Sequence, residues 1–182
     1  LGPYLAGVFG EGPTPGNGVF ARIEPWIGFF FTPHFIAIAT LLILLAGAVA
    51  VSNASEMVRG LAGLLTPSVA VLFIVISCLT VSLHEFAHGL TCRRFGGEVR
   101  EMGFLLIYFQ PAFYCNVSDA WLFPEKSKRL WVGFSGPFFE MFLWALAVLV
   151  WRITEGDSFI HLAALMVALG SGIKTLFNFN PF

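Results

Sequence analysis

Ser68-Val-Ala-Val-Leu-Phe-Ile-Val-Ile-Ser-Cys-Leu-Thr-Val-Ser-Leu83 runs without a charge and then meets His84-Glu85-Phe86-Ala87-His88. Pro67 before it suits the first turn of a helix, and the run reads as a membrane span. Three similar stretches flank it in sequence. Phe35 to Val51 carries no charge, Trp131 to Trp151 carries only Glu140, and Phe159 to Phe177 carries only Lys174, softened by Gly170, Ser171 and Gly172. Composition agrees: 57% of the 182 residues are hydrophobic and 12% charged, against about 45–50% and about 25% in soluble domains. Mean hydropathy is +0.82. With 21 Phe and 5 Trp, the chain has the aromatic bias of lipid-facing and interfacial surface, and Trp26 with Phe29, Phe30 and Phe31 reads as an interfacial belt.

The expected fold is therefore an all-α polytopic membrane protein of about four transmembrane helices. Between the second and third, Gly103-Phe-Leu-Leu-Ile-Tyr-Phe-Gln110 is β-prone, ends at Pro111 and is too short to span. It is expected to form a small β-hairpin or re-entrant segment. Ser52 to Thr66 reads as a short connection. Residues 1–27, with Gly and Pro in high density, read as a linker or the end of an upstream region, and 28–182 as the membrane core. Of ten Lys and Arg, six fall between spans two and three. The positive-inside bias puts that segment and both chain ends in the cytoplasm.

Several classes are excluded. A net charge of −1 offers no field for a phosphate backbone, so no nucleic-acid partner is expected. Three cysteines without a CxxC indicate neither a disulfide framework nor a thiolate zinc site. Asn53-Ala-Ser55 and Asn116-Val-Ser118 match the glycosylation triplet, a common pattern that carries little weight.

His84 and His88 carry the chemistry. On a helix, residues four apart share a face, so both imidazoles can ligate one ion. Glu85 can reach a water activated by that ion and take its proton during attack on a peptide carbonyl. A di-histidine pair needs at least one more ligand. His34, His161, Asp119, Glu140 and Asp157 are the candidates within the chain, and none stands out by spacing. His34 reads as an interfacial anchor, Asp119 as a helix cap, and mid-span Glu140 as a group that must face the protein interior and have a partner. Cys115 is a weak candidate to approach the ion.

HEFAH on a membrane helix, a cytoplasmic surface segment, and Ser135-Gly136-Pro137 opening the next span together resemble the site-2 protease family of intramembrane zinc metalloproteases. Tyr114-Cys115-Asn116-Val117-Ser118-Asp119-Ala120-Trp121 and Asn180-Pro181-Phe182 are most similar to its bacterial branch of peptide zinc metalloproteases. The family's third zinc ligand is an Asp within N-x-x-P-x-x-x-x-D-G, of which Asn178-Phe179-Asn180-Pro181 matches the first half. The resemblance implies that the Asp lies beyond Phe182 and that this chain is a core incomplete at its C-terminus. It further implies Zn2+ held by His84 and His88, Glu85 as the base, and Asn178 with Pro181 supporting the active site. The expected activity is zinc-dependent endopeptidase cleavage of membrane-spanning or membrane-proximal peptides. The expected setting is a bacterial cell membrane, with the site toward the cytoplasm. Gly136-Pro137 also has a structural reading, close packing at Gly and a helix start at Pro. Two rivals differ in class. One is a non-catalytic protease-like membrane protein that binds or escorts a peptide; the other is a di-iron hydroxylase, for which four histidines are too few.

Overall fold

The computed structural model describes residues 28–63, 67–107, 110–156 and 158–178. These are mostly helical: α1 (Pro33–Ser52), α2 (Ala54–Gly63), α3 (Pro67–Arg94), α4 (Lys126–Ile153) and α5 (Phe159–Asn178), with a hairpin of β1 (Met102–Ile107) and β2 (Gln110–Cys115) between α3 and α4. Short 3-10 turns cover Gly28–Phe31 and Ser118–Leu122. The Gly/Pro-rich 1–27 stretch lies outside the described residues, as does Trp26.

Three helices, α1, α3 and α4, are long and apolar enough to cross a membrane. In α5 the apolar stretch runs over Phe159–Gly172 among the described residues. Large apolar side chains project outward along α1 and α3, among them Leu41, Leu44, Val71, Val75 and Leu79. A helix that is apolar all round suits a lipid environment better than water.

The chain divides into two compact units. One joins Phe30–His84 to the chain from Pro137 onward, and the other centres on Glu85–Gly136. The division falls inside α3 and α4, so each of these helices contributes to both.

The helical unit begins where Thr32 caps α1. Its hydroxyl accepts from the Phe35 amide at 3.2 Å, and Pro33 occupies the first turn, where its missing N–H costs nothing. Asn53 turns the chain into α2: its amide N–H and its side chain both donate to the Val49 carbonyl, at 3.0 and 2.8 Å. Its own carbonyl then accepts from Glu56 and Met57. The expected connection over 52–66 thus contains a ten-residue helix, because Asn53 satisfies the end of one helix and starts the next. The core of this unit is built from small residues around two large ones: Ala46, Ala145, Val148, Ala164, Leu165 and Ala168 with Met57 and Trp151. Small side chains let helix backbones approach where lipid removes the hydrophobic drive. At Gly60 a Cβ would fall 2.6 Å from Leu165 Cδ2, so glycine there lets α2 approach α5 without displacing the end of that leucine. Phe30 is part of this packing, edge-on to Phe35 and Phe139, while Phe29 faces outward. The aromatic belt is therefore narrower than the run of three Phe suggests.

The hairpin unit is held by turns and polar ties. α3 does not stop at the histidine motif; it continues to Arg94 and ends in a Schellman closure. Gly97 N–H donates to Cys92 O, Gly96 N–H donates to Arg93 O, and Gly96 takes φ +90°, a conformation that favours glycine. Phe95-Gly96-Gly97 is the stop signal, so HEFAH lies inside the helix. The hairpin pairs Met102 with Cys115 and Ile107 with Gln110, antiparallel. Pro111 sits within β2 opposite Leu106 rather than ending the strand run, which a two-stranded edge tolerates. Phe113 of β2 stacks on Phe86 with ring centres 5.1 Å apart. Asn116 Oδ1 accepts from the Ser118 amide and hydroxyl, at 3.1 and 2.6 Å, so the Asn-Val-Ser triplet is a side-chain turn. Asp119 does not cap a helix. It accepts from the Glu98 amide at 3.2 Å and from Arg100 Nε at 3.2 Å, fastening the loop after α3 to the 3-10 turn.

α4 starts at Lys126, and Pro137 lies well inside it. The expectation that Pro137 opens the span is corrected. The eleven residues before it, from Lys126 on, are already helical, and membrane helices accommodate an internal proline when neighbouring groups satisfy the freed backbone.

Candidate metal centre

His84, Glu85 and His88 lie just over one turn apart on α3, each partly buried, and their ligand atoms all fall within 4.8 Å of one another. This follows from helix periodicity and from α3 running past the motif to Arg94. A group of this kind can hold a metal ion.

Each histidine is oriented through Nδ1. In the helical unit, His84 Nδ1 is 3.1 Å from Glu140 Oε2, the carboxylate being almost wholly buried in mid-α4. In the hairpin unit, His88 Nδ1 is 2.6 Å from the Val132 carbonyl. A carbonyl and a carboxylate only accept hydrogen bonds, so both rings carry their proton on Nδ1. An acceptor at Nδ1 that fixes the ring's tautomer and orientation is the usual support of a metal-binding histidine. The donor set fits zinc, which takes imidazole nitrogen and carboxylate oxygen.

Glu140 is also paired on its other oxygen. Lys174 Nζ of α5 lies 3.3 Å from Oε1 and donates to Thr80 Oγ1 at 2.7 Å. The half-buried Lys174 cation balances the buried Glu140 anion, as a charge within an apolar helix requires. On the hairpin side, Ser135 Oγ donates to Val132 O at 2.8 Å and approaches Ala87 O at 3.2 Å. The Ser-Gly-Pro segment therefore lies beside the second histidine.

Among the described residues no other His, Cys, Asp or Glu joins the group. His161 is engaged elsewhere, its Nδ1 3.2 Å from the Thr154 carbonyl and its ring against Trp151. His34 lies in the first turn of α1. Asp119 serves the loop, and Glu140 touches the Nδ1 side of His84. Asp157 lies outside the described residues. Cys115 is buried, and its thiol is pushed up to about 12, first by desolvation and then by the Glu85 carboxylate. It offers a protonated sulfur, a poor ligand. Asn178 is the last residue of α5; its side chain and Pro181 lie outside the described residues. The sequence reading named Glu140 as needing a partner but overlooked Lys174 and Thr80. Lys174, a charge in an apolar helix, was the available signal.

No family model, no curated protein and no solved structure matches the chain.

Proposed function

We propose that the chain is the membrane core of a zinc metalloendopeptidase of the site-2 type, cleaving membrane-spanning or membrane-proximal peptides. Its helices cross a bacterial membrane four times, α5 included, with the site toward the cytoplasm, where Arg93, Arg94, Lys126, Lys128 and Arg129 gather at helix ends. One observation carries the reading: both histidines of an HExxH helix have Nδ1 against an acceptor, and their ligand atoms and that of Glu85 lie within 4.8 Å of one another. Zinc, when bound, polarises a peptide carbonyl and makes water a nucleophile near neutral pH. His84 and His88 would hold the ion, and a third ligand, an Asp by the family resemblance, would complete the set. Glu85 takes the proton of the attacking water and returns one to the leaving amine. Glu140 and the Val132 carbonyl keep the ligand rings from turning. Asn178 supports the substrate carbonyl.

The test uses the full-length protein in detergent. His84→Ala and His88→Ala each abolish zinc uptake. Glu85→Gln keeps zinc and loses about 100- to 10,000-fold in peptide cleavage. Undiminished zinc in both histidine variants removes the metal centre. Zinc binding without cleavage by the wild-type protein favours the non-catalytic peptide-binding role.

A further inference from the structure

The support behind His84 contains more charge than a hydrogen bond requires. A neutral acceptor suffices to hold an imidazole N–H, as the Val132 carbonyl does for His88. His84 instead meets a buried carboxylate, and an anion in the middle of an apolar helix demands a cation. Lys174 supplies it as an ion pair, its Nζ 3.3 Å from Oε1, while His84 takes Oε2. Lys174 is in turn held by Thr80, which sits one turn before His84 on α3 and is itself buried. The contacts form a circuit that leaves α3 at His84, passes through α4 and α5, and returns to α3 at Thr80.

We propose that Lys174 and Thr80 are positioning residues for the metal centre, locking the Glu140 carboxylate so that Oε2 holds His84 with its proton on Nδ1. The inference rests on the reading of His84 as a metal ligand. A carboxylate free to rotate presents either oxygen, or neither, to the imidazole. With Oε1 paired with Lys174, the direction of Oε2 is set. The other role open to such a cluster is to join three helices. A buried ion pair contributes little net stability against apolar residues of similar size, so that role alone leaves metal binding independent of Lys174.

The experiment measures zinc affinity of the full-length protein in detergent by chelator competition. Histidine-ring nitrogen NMR of the metal-free protein reports the tautomer of His84 separately. Lys174→Met strands the Glu140 charge; it weakens zinc by about 10- to 100-fold and removes the Nδ1–H signature of His84. Glu140→Gln with Lys174→Met leaves no orphan charge and an amide oxygen to accept from His84, and it recovers most of the affinity. Thr80→Val keeps size and charge and gives a smaller loss in the same direction. Unchanged affinity and unchanged tautomer in Lys174→Met and Thr80→Val, with binding lost in His84→Ala, overturn the positioning role and leave the metal centre standing. If Lys174→Met does not fold, unchanged affinity and unchanged His84 tautomer in Thr80→Val overturn it equally. Wild-type protein that binds no more zinc than His84→Ala overturns both.

Discussion

The two units solve the same problem, a polar backbone among apolar neighbours, by opposite means. In the helical unit the helices satisfy their own backbones and pack through alanines around Trp151 and Leu165. One group of its polar side chains, Thr80, Lys174, Glu140 and His84, closes on itself. In the hairpin unit the core is small: Cys92, Ala120, Phe123 and Val132 form one cluster, Val99 and Cys115 another. The Gly96–Gly97 closure, the Asn116 turn and the Asp119 ties do the rest. Within the helical unit a buried carboxylate orients His84, and within the hairpin unit a backbone carbonyl orients His88. Packing therefore sustains the first histidine, and backbone geometry sustains the second.

The contrast can be broken most strongly at its tryptophans. Trp151 is 2% exposed in the helical core, whereas Trp121 is 80% exposed on the hairpin unit. Trp151→Ala costs about 3–5 kcal/mol by the cavity it leaves, and Trp121→Ala stays within about 0.5 kcal/mol. Denaturant titration in detergent measures both, and equal losses would erase the distinction between a packed and a turn-held unit.

A smaller effect tests the turns. Gly96→Ala forces a side chain into the left-handed region at φ +90° and costs about 1–2 kcal/mol. The loss comes from the α3 closure, so protease nicking between α3 and the hairpin increases while hydrogen exchange in α5 does not change. Faster exchange in α5 would show that the closure also supports the helical unit.

The smallest effect lies at the start of α4. Lys128 Nζ donates to Glu125 Oε1 at 3.0 Å, and that hydrogen bond holds the exposed Glu125 carboxyl below its ordinary value. A carboxyl whose folded-state value is depressed stabilises the fold above its unfolded value and loses that contribution as pH falls through the folded one. Lys128→Ala is accordingly slightly less stable than wild type at neutral pH, and the difference vanishes in acid or at high salt. A difference that persists in acid would assign Lys128 a role other than the pair.

Much of the architecture was legible because its causes are local. Apolar runs with at most one charge located α1, α3, α4 and α5, and the β-prone run after Arg100 located the hairpin. Errors fell where a longer context decides. The charge-free run ends at Leu83, yet the helix runs on through HEFAH until Phe95-Gly96-Gly97 stops it about two turns past His88. Pro137 was read as a helix start, although the residues from Lys126 onward were already helical. Glu140 was correctly singled out as a buried charge needing a partner, since lipid penalises an isolated one wherever the chain folds. Which partner it takes depends on residues 56 positions upstream and 34 downstream.

The sequence alone determined the apolar helices, by transfer free energy and length, and the shared face of His84 and His88, by the helical repeat. Only the tertiary structure decided what stands behind each imidazole. The Val132 carbonyl has no side-chain signature to read. The circuit through Glu140, Lys174 and Thr80 exists because three helices, distant in sequence, pack with small residues at their contacts. Local chemistry made a metal-binding pair available, and long-range packing chose the tautomer that makes it usable.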